Sequence, residues 1–185
     1  MIPNSVVFID SRAFVYCKGL ESVTIPNSVT TISTAAFYGC EGLKTLALGN
    51  SLNRILEDAF KRCSNLTSVT FPKSLTYIGN EAFGKCTNLK VVTCKASTPP
   101  EITPDSFYRI PKRVKFFVPK ASLPAYKKAP YWKNFSFITY WATTSQQHLH
   151  WWIRAIAPLQ AGLRQGTTRR PRAVAKLMPQ LKCLN

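Results

Sequence analysis

The sequence predicts an α/β fold, a solenoid of short stacked units in which each unit joins a short strand to a short helical turn. Three observations predict it. The motif Ala-Phe-x-x-Cys occurs at Ala13, Ala36, Ala59 and Ala82, a step of 23 residues each time. Other columns keep the same step: Leu20, Leu43, Leu66 and Leu89, and Ile9, Ile32, Ile55 and Ile78. Each motif is followed by an alternating apolar segment, and a further column reads Pro3, Pro26, Gly49 and Pro72. A fixed period of roughly 20 to 50 residues means that one unit cannot bury its apolar face alone, so neighbours stack into a continuous core.

The strand comes first in each unit. LESVTIP, LKTLALG, LTSVTFP and LKVVTCK share the pattern L-x-x-L-x-L, whose alternation puts the second and third apolar residues on one inward face. The proline that follows lacks an N–H and fixes its own φ, so it stops the strand and turns the chain. Ser28, Ser51 and Ser74 come next, with hydroxyls suited to bonding turn amides. A short apolar segment, Val29 and Ile32 in the second unit, then leads to a Ser/Thr/Asn-started turn of helix that carries Ala36 and Phe37 inward. Small Ala beside large Phe fills a tapering gap between coils, and the Cys packs as a small buried hydrophobe.

These columns, P-x-S-(V/L)-x-x-I-(x)3-A-F-x-x-C-x-x-L-x-x-(V/L)-x-(I/L/F), resemble the BspA-type leucine-rich repeats of bacterial surface proteins. The segment STPPEITPDSFYRIPKRVKFFVP followed by KASLPAYKKAPYWKNFSFI is similar to that family's terminal unit: a degenerate repeat ending in a V-P strand, then a Tyr-Lys helix and a Trp-x-x-Phe segment. Phe83, Val92 and Cys94 reappear one residue late as Phe107, Phe116 and Val118. The resemblance implies a right-handed leucine-rich-repeat solenoid with short parallel strands and short helical turns. It implies a non-catalytic binding surface, in relatives often exported and implicated in adhesion. Residues 1–95 are then four repeats, 96–138 the degenerate last repeat and cap, and 139–185 a basic tail, disordered or foreign to the family.

Charge follows the same division. The 185-residue chain carries a net charge of +17, which raises nucleic acid, anionic membrane or acidic polysaccharide as partners. Residues 1–95 hold ten basic and six acidic side chains, 96–138 eight and two, and 139–185 seven and none. No stretch reaches the roughly 20 apolar residues of a membrane span, and the opening MIPNSVVFIDSRAF lacks the pattern of a secretory signal. Localisation at the cell surface rests on the resemblance alone. The chain opens inside a repeat, so Val6, Ile9 and Phe14 are expected to be exposed without an N-terminal cap. That predicts a C-terminal piece of a longer protein. The tail has no 23-residue echo and reads as frameshifted or foreign sequence, with a genuine basic tail as the competing reading.

Catalytic and metal chemistry find little support. The column Cys17, Cys40, Cys63 and Cys86 lies one strand spacing apart, but in-register side chains run parallel, and no C-x-x-C pair gives zinc spacing. Cys94 reads as core and Cys183 as a loose tail thiol. His148 and His150 lack a third ligand, and the repeats contain no histidine for a nucleophile–base pair. Catalytic residues: none; metal: none; cofactors: none.

Lys112, Arg113, Lys115, Lys127 and Lys128, interleaved with Tyr108, Phe117 and Tyr126, read as the solvated face of the cap rather than a nucleic-acid patch, so no nucleic-acid partner is expected. The binding surface instead falls on strand residues that alternate with the core, on the sheet's concave face: Ser22, Thr24, Thr45, Ser68, Thr70 and Thr93, with Ala47 and Val91 among them. Such hydroxyls suit a protein or glycan ligand. The alternatives are a truncated-gene remnant without independent function, and a basic binder of nucleic acid or anionic surfaces through residues 108–185.

Overall fold

The computed structural model describes residues 2–140. They form a solenoid of parallel strands, two per coil. The predicted repeat strands are β2 (Ser22–Thr24), β4 (Thr45–Ala47), β6 (Ser68–Phe71) and β8 (Val91–Cys94), continued by β10 (Lys115–Pro119) and β11 (Phe137–Tyr140). Their register is the sequence period made visible: Val23 lies opposite Leu46, Val69 opposite Val92, and Val92 opposite Phe116. The last pairing spans 24 residues, as the one-residue insertion requires.

A second sheet runs along the stack, built from two-residue strands: β1 (Phe8–Ile9), β3 (Thr31–Ile32), β5 (Arg54–Ile55), β7 (Tyr77–Ile78) and β9 (Glu101–Ile102). Each isoleucine of this column points inward and is buried.

The expected helical turn at the Ala-Phe segment does not form. Each regular coil makes consecutive turns there, with two residues in the left-handed region: Ala35 (φ 55°) and Gly39 (φ 70°), then Asp58 (56°) and Arg62 (63°), then Glu81 (46°) and Lys85 (58°). Left-handed residues break a right-handed helix, and the amides divide instead between two directions. Ala36, Tyr38 and Cys40 donate three residues back, to Ser33, Ala35 and Phe37. Ala35, Phe37 and Gly39 donate to Glu57, Ala59 and Lys61 of the next coil, each at 2.8 Å. At Gly39 an added Cβ would lie 2.5 Å from the Tyr16 ring, so this coil requires glycine.

Between the sheets lies the repeat's filling. Phe14, Phe37, Phe60, Phe83 and Phe107 stack along the axis with centroids 4.9, 5.1, 5.3 and 5.8 Å apart. Near-parallel offset rings at this spacing add to the area they bury. Cys40, Cys63 and Cys86 are fully buried, and each donates its S–H to a carbonyl 26 residues earlier: Phe14 (3.0 Å), Phe37 (3.3 Å) and Phe60 (3.3 Å). The serines also differ from expectation. Ser28 Oγ donates to the Val6 carbonyl (2.6 Å) and Ser74 Oγ to that of Leu52 (2.7 Å), so they bond a carbonyl of the preceding coil and not a turn amide.

In the first coil the expected exposure is only partial. Ile9 is buried, Val6 and Phe14 are half-buried, and Val7, Phe8 and Tyr16 are the large exposed hydrophobic side chains of this coil. Phe14 keeps one ring face against Phe37, and Ile9 faces the interior beside Ile32.

At the other end Phe107 meets Phe116, Trp132 and Phe135 edge-on, and the stack closes. Helix α1 (Leu123–Lys128) stops before Pro130 and buries Tyr126. Two side chains tie this region to the preceding coil: Tyr126 Oη donates to the Ala96 carbonyl (3.0 Å) and Trp132 Nε1 to that of Pro100 (2.6 Å).

Candidate binding face

Strand alternation that buries Val23, Leu46, Val69 and Val92 must present their neighbours outward. Two rows result. One is Ser22, Thr45, Ser68, Val91 and Lys115; the other is Thr24, Ala47, Thr70, Thr93 and Phe117. Ser22, Thr24, Thr45, Ser68 and Thr70 are exposed, and Thr93 is half-buried. The rows change character at the last coil, where Lys115 is exposed and Phe117 is buried.

The six predicted residues are not on one continuous ladder. β2 and β4 form a two-stranded sheet, and β6, β8, β10 and β11 a four-stranded one. Ser22, Thr24 and Thr45 therefore lie on the first, and Ser68, Thr70 and Thr93 on the second. Where the ladder is interrupted, Leu46, Leu48, Thr70, Pro72 and Lys95 line a shallow depression. Sequence reasoning missed this feature. Its signal was the LALG segment, where glycine replaces proline and Leu48 stands in place of Ile25 and Phe71.

Hydroxyls are used differently in the core and on the outward rows. Ser28, Ser74 and Ser106 spend theirs on carbonyls inside the stack. The hydroxyls of Ser22, Thr24, Thr45, Ser68, Thr70 and Thr93 make no side-chain hydrogen bond among the described residues. A free O–H both donates and accepts, so the rows present ready hydrogen-bonding groups without fixed charge.

The buried thiols offer no reactive centre. Burial pushes Cys40 up to about 11 and Cys86 to about 12, and raises Cys63 and Cys94 further. A thiol held neutral is a poor nucleophile and a poor ligand. Among the described residues no three His, Cys, Asp or Glu side chains come together as a metal-holding group. His148, His150 and Cys183 lie outside the described residues.

Of the basic group near the cap, Lys112, Arg113, Lys115, Lys127 and Lys128 are exposed, as expected of a solvated face. Their interleaved aromatics are not: Tyr126 is fully buried, Phe117 is buried and Tyr108 half-buried. No helix among the described residues is long and apolar enough to cross a membrane.

The family model for a BspA type leucine rich repeat region matches residues 1–115 in six copies. A comparison with curated proteins found no match. Among solved structures, the chain is similar to a leucine rich cell surface protein from Faecalibacterium prausnitzii, with 25% identity and a TM-score of 0.53. That match covers 74% of this chain and 37% of the other. The pneumococcal vaccine antigen PcpA matches with 30% identity and a TM-score of 0.50, over 63% of this chain and 33% of its own. A T. pallidum leucine rich repeat protein matches with 32% identity and a TM-score of 0.47, over 63% of this chain and 47% of its own. The chain thus spans less than half the length of each of these three.

Proposed function

Because the chain belongs to the BspA-type leucine-rich repeat family, we propose that it is a non-catalytic interaction or adhesion module of a bacterial cell surface. It holds a protein or glycan by hydrogen bonds from Ser22, Thr24, Thr45, Ser68, Thr70 and Thr93. The observation that carries this reading is the contrast in hydroxyl use: serines within the stack are satisfied internally, whereas the hydroxyls on the outward strand rows have no side-chain partner among the described residues. The likeness to a cell surface protein of F. prausnitzii and to a pneumococcal vaccine antigen supports the setting.

The competing reading, a remnant without independent function, has less support. A soluble, cooperatively melting monomer would count against it, and the phenylalanine stack from Phe14 to Phe107, ending on Trp132 and Phe135, supports that outcome.

The test is binding of the whole chain to an array of glycans and extracellular proteins, repeated with Thr45→Glu and Thr70→Glu together. Both side chains are exposed, so the fold should tolerate the change while the row gains two charges. Loss of binding in the double variant is the expected result. Binding that survives it, or none by the unaltered chain, would count against the outward strand rows.

A further inference from the structure

A second surface lies along the turn edge of the solenoid, away from the strand rows. In every coil one left-handed position falls in the same column: Tyr16 (φ 57°), Gly39 (70°), Arg62 (63°), Lys85 (58°) and Arg109 (54°). A backbone in this region favours Gly or Asn, and the second coil uses Gly39. Three successive coils nevertheless place a long cation there. Backbone geometry does not explain that choice.

The same cations also lack a carboxylate partner among the described residues. Three other lysines of the stack are matched by carboxylates: Lys44 lies 2.9 Å from Glu21, Lys18 3.6 Å from Glu41, and Lys61 sits between Asp58 (3.2 Å) and Glu81 (3.0 Å). Among the described residues no carboxylate forms an ion pair with Arg62, Lys85 or Arg109. Arg109 is held over the Tyr108 ring at 5.1 Å, which fixes its position without neutralising it. Together the three cations line a shallow groove with Glu41, Ser64 and Thr87. Glu41 is the single acid of that lining among the described residues and belongs to the Lys18 pair; Ser64 and Thr87 add two hydroxyls.

We propose that this groove binds a linear acidic polysaccharide lying along the solenoid axis. The coils repeat at the spacing of the stacked rings, 4.9 to 5.8 Å, so the groove offers one cation per coil at about the advance of one sugar in an extended chain. A polymer bearing one carboxylate or sulfate per sugar meets Arg62, Lys85 and Arg109 in succession, while Ser64 and Thr87 bond its hydroxyls. Arginine supplies a planar two-donor fork for carboxylate or sulfate. Among the described residues no aromatic side chain lines the groove, so these residues offer no stacking platform of the kind single-stranded nucleic acid uses.

The experiment uses the whole chain and three probes: polygalacturonate, heparin and oligothymidylate, with affinity read by calorimetry. The variant is Arg62→Asn, Lys85→Asn and Arg109→Asn together, since asparagine accepts a left-handed backbone. A second variant, Thr87→Glu, places an acid in the groove at an exposed position and guards against misfolding of the first. Polygalacturonate or heparin should bind, and both variants should weaken it by about ten-fold or more, the scale expected when charge-assisted hydrogen bonds are lost. Lys127→Asn with Lys128→Asn should leave it unchanged. Failure of both polysaccharides to bind, equal binding by the groove variants, or oligothymidylate binding as tightly and with the same sensitivity would each overturn the proposal.

Discussion

The thiol of Cys63 donates to the carbonyl of Phe37 at 3.3 Å, so the small residue of one coil satisfies the backbone of the coil beneath its own large one. The arrangement keeps the thiol neutral, and this sets a pH limit. Burial raises Cys40 from the usual 9.0 to about 11 and Cys86 to about 12, so the unfolded chain loses these protons first. Their contribution to stability is whole below the usual thiol value and is lost as pH rises from there through the folded values. Lys61 acts in the same direction: burial alone would lower it, but the bonds to Glu81 and Asp58 outweigh that and leave it raised. The urea midpoint should hold steady up to about pH 9 and fall above it; a midpoint unchanged well above that value would refute this.

Phe60 sits at the middle of the ring column, between Phe37 and Phe83. Phe60→Ala should cost about 3 to 5 kcal/mol, the usual range for a fully buried Phe. Phe14→Ala should cost less, because that side chain is half-buried with one stacked neighbour. Equal losses in urea denaturation of the two variants would contradict the stacking account.

Ser106 occupies the column that holds Ala36, Ala59 and Ala82 in the regular repeats. Its buried hydroxyl donates to the Ile78 carbonyl and accepts the Thr103 amide, both at 2.9 Å. Ser106→Ala restores the repeat consensus yet leaves those two backbone groups unsatisfied. It should destabilise the protein by about 1 to 3 kcal/mol. A consensus gain in thermal stability would show that the hydroxyl is dispensable.

The outward hydroxyls should behave oppositely. Ser68→Ala with Thr70→Ala removes two groups that have no side-chain partner among the described residues, and the change in stability should stay within about 0.5 kcal/mol. A larger loss in chemical denaturation would assign the strand rows a structural role.

The inward half of the structure was legible because it repeats. Ala, Phe, Cys and the strand apolar residues each occupy one column, and periodicity exposes columns. The turn chemistry was hidden: Ala35, Asp58, Arg62, Glu81 and Lys85 take left-handed φ without being Gly or Asn, so no residue type announced that the helical turns would be replaced by inter-coil bonds. The second sheet was read only as an apolar segment around Ile32, since a two-residue strand is too short to show alternation. The candidate face was legible as a set of outward positions, but not its division between β4 and β6. A missing ladder depends on how two backbones approach, and a single LALG segment does not specify that.

The amides that leave the turn edge all donate the same way along the stack. Arg12, Phe14 and Tyr16 donate to Thr34, Ala36 and Tyr38, and the corresponding trios repeat this up to Glu81, Phe83 and Lys85, which donate to Asp105, Ser106 and Tyr108. Peptide dipoles aligned head to tail sum rather than cancel. The turn edge is therefore electrically polar over its whole length, with its positive pole toward the later coils. An α-helix has its positive pole at its N-terminus, so this edge has the reverse polarity relative to chain direction, and each added coil would lengthen the same dipole.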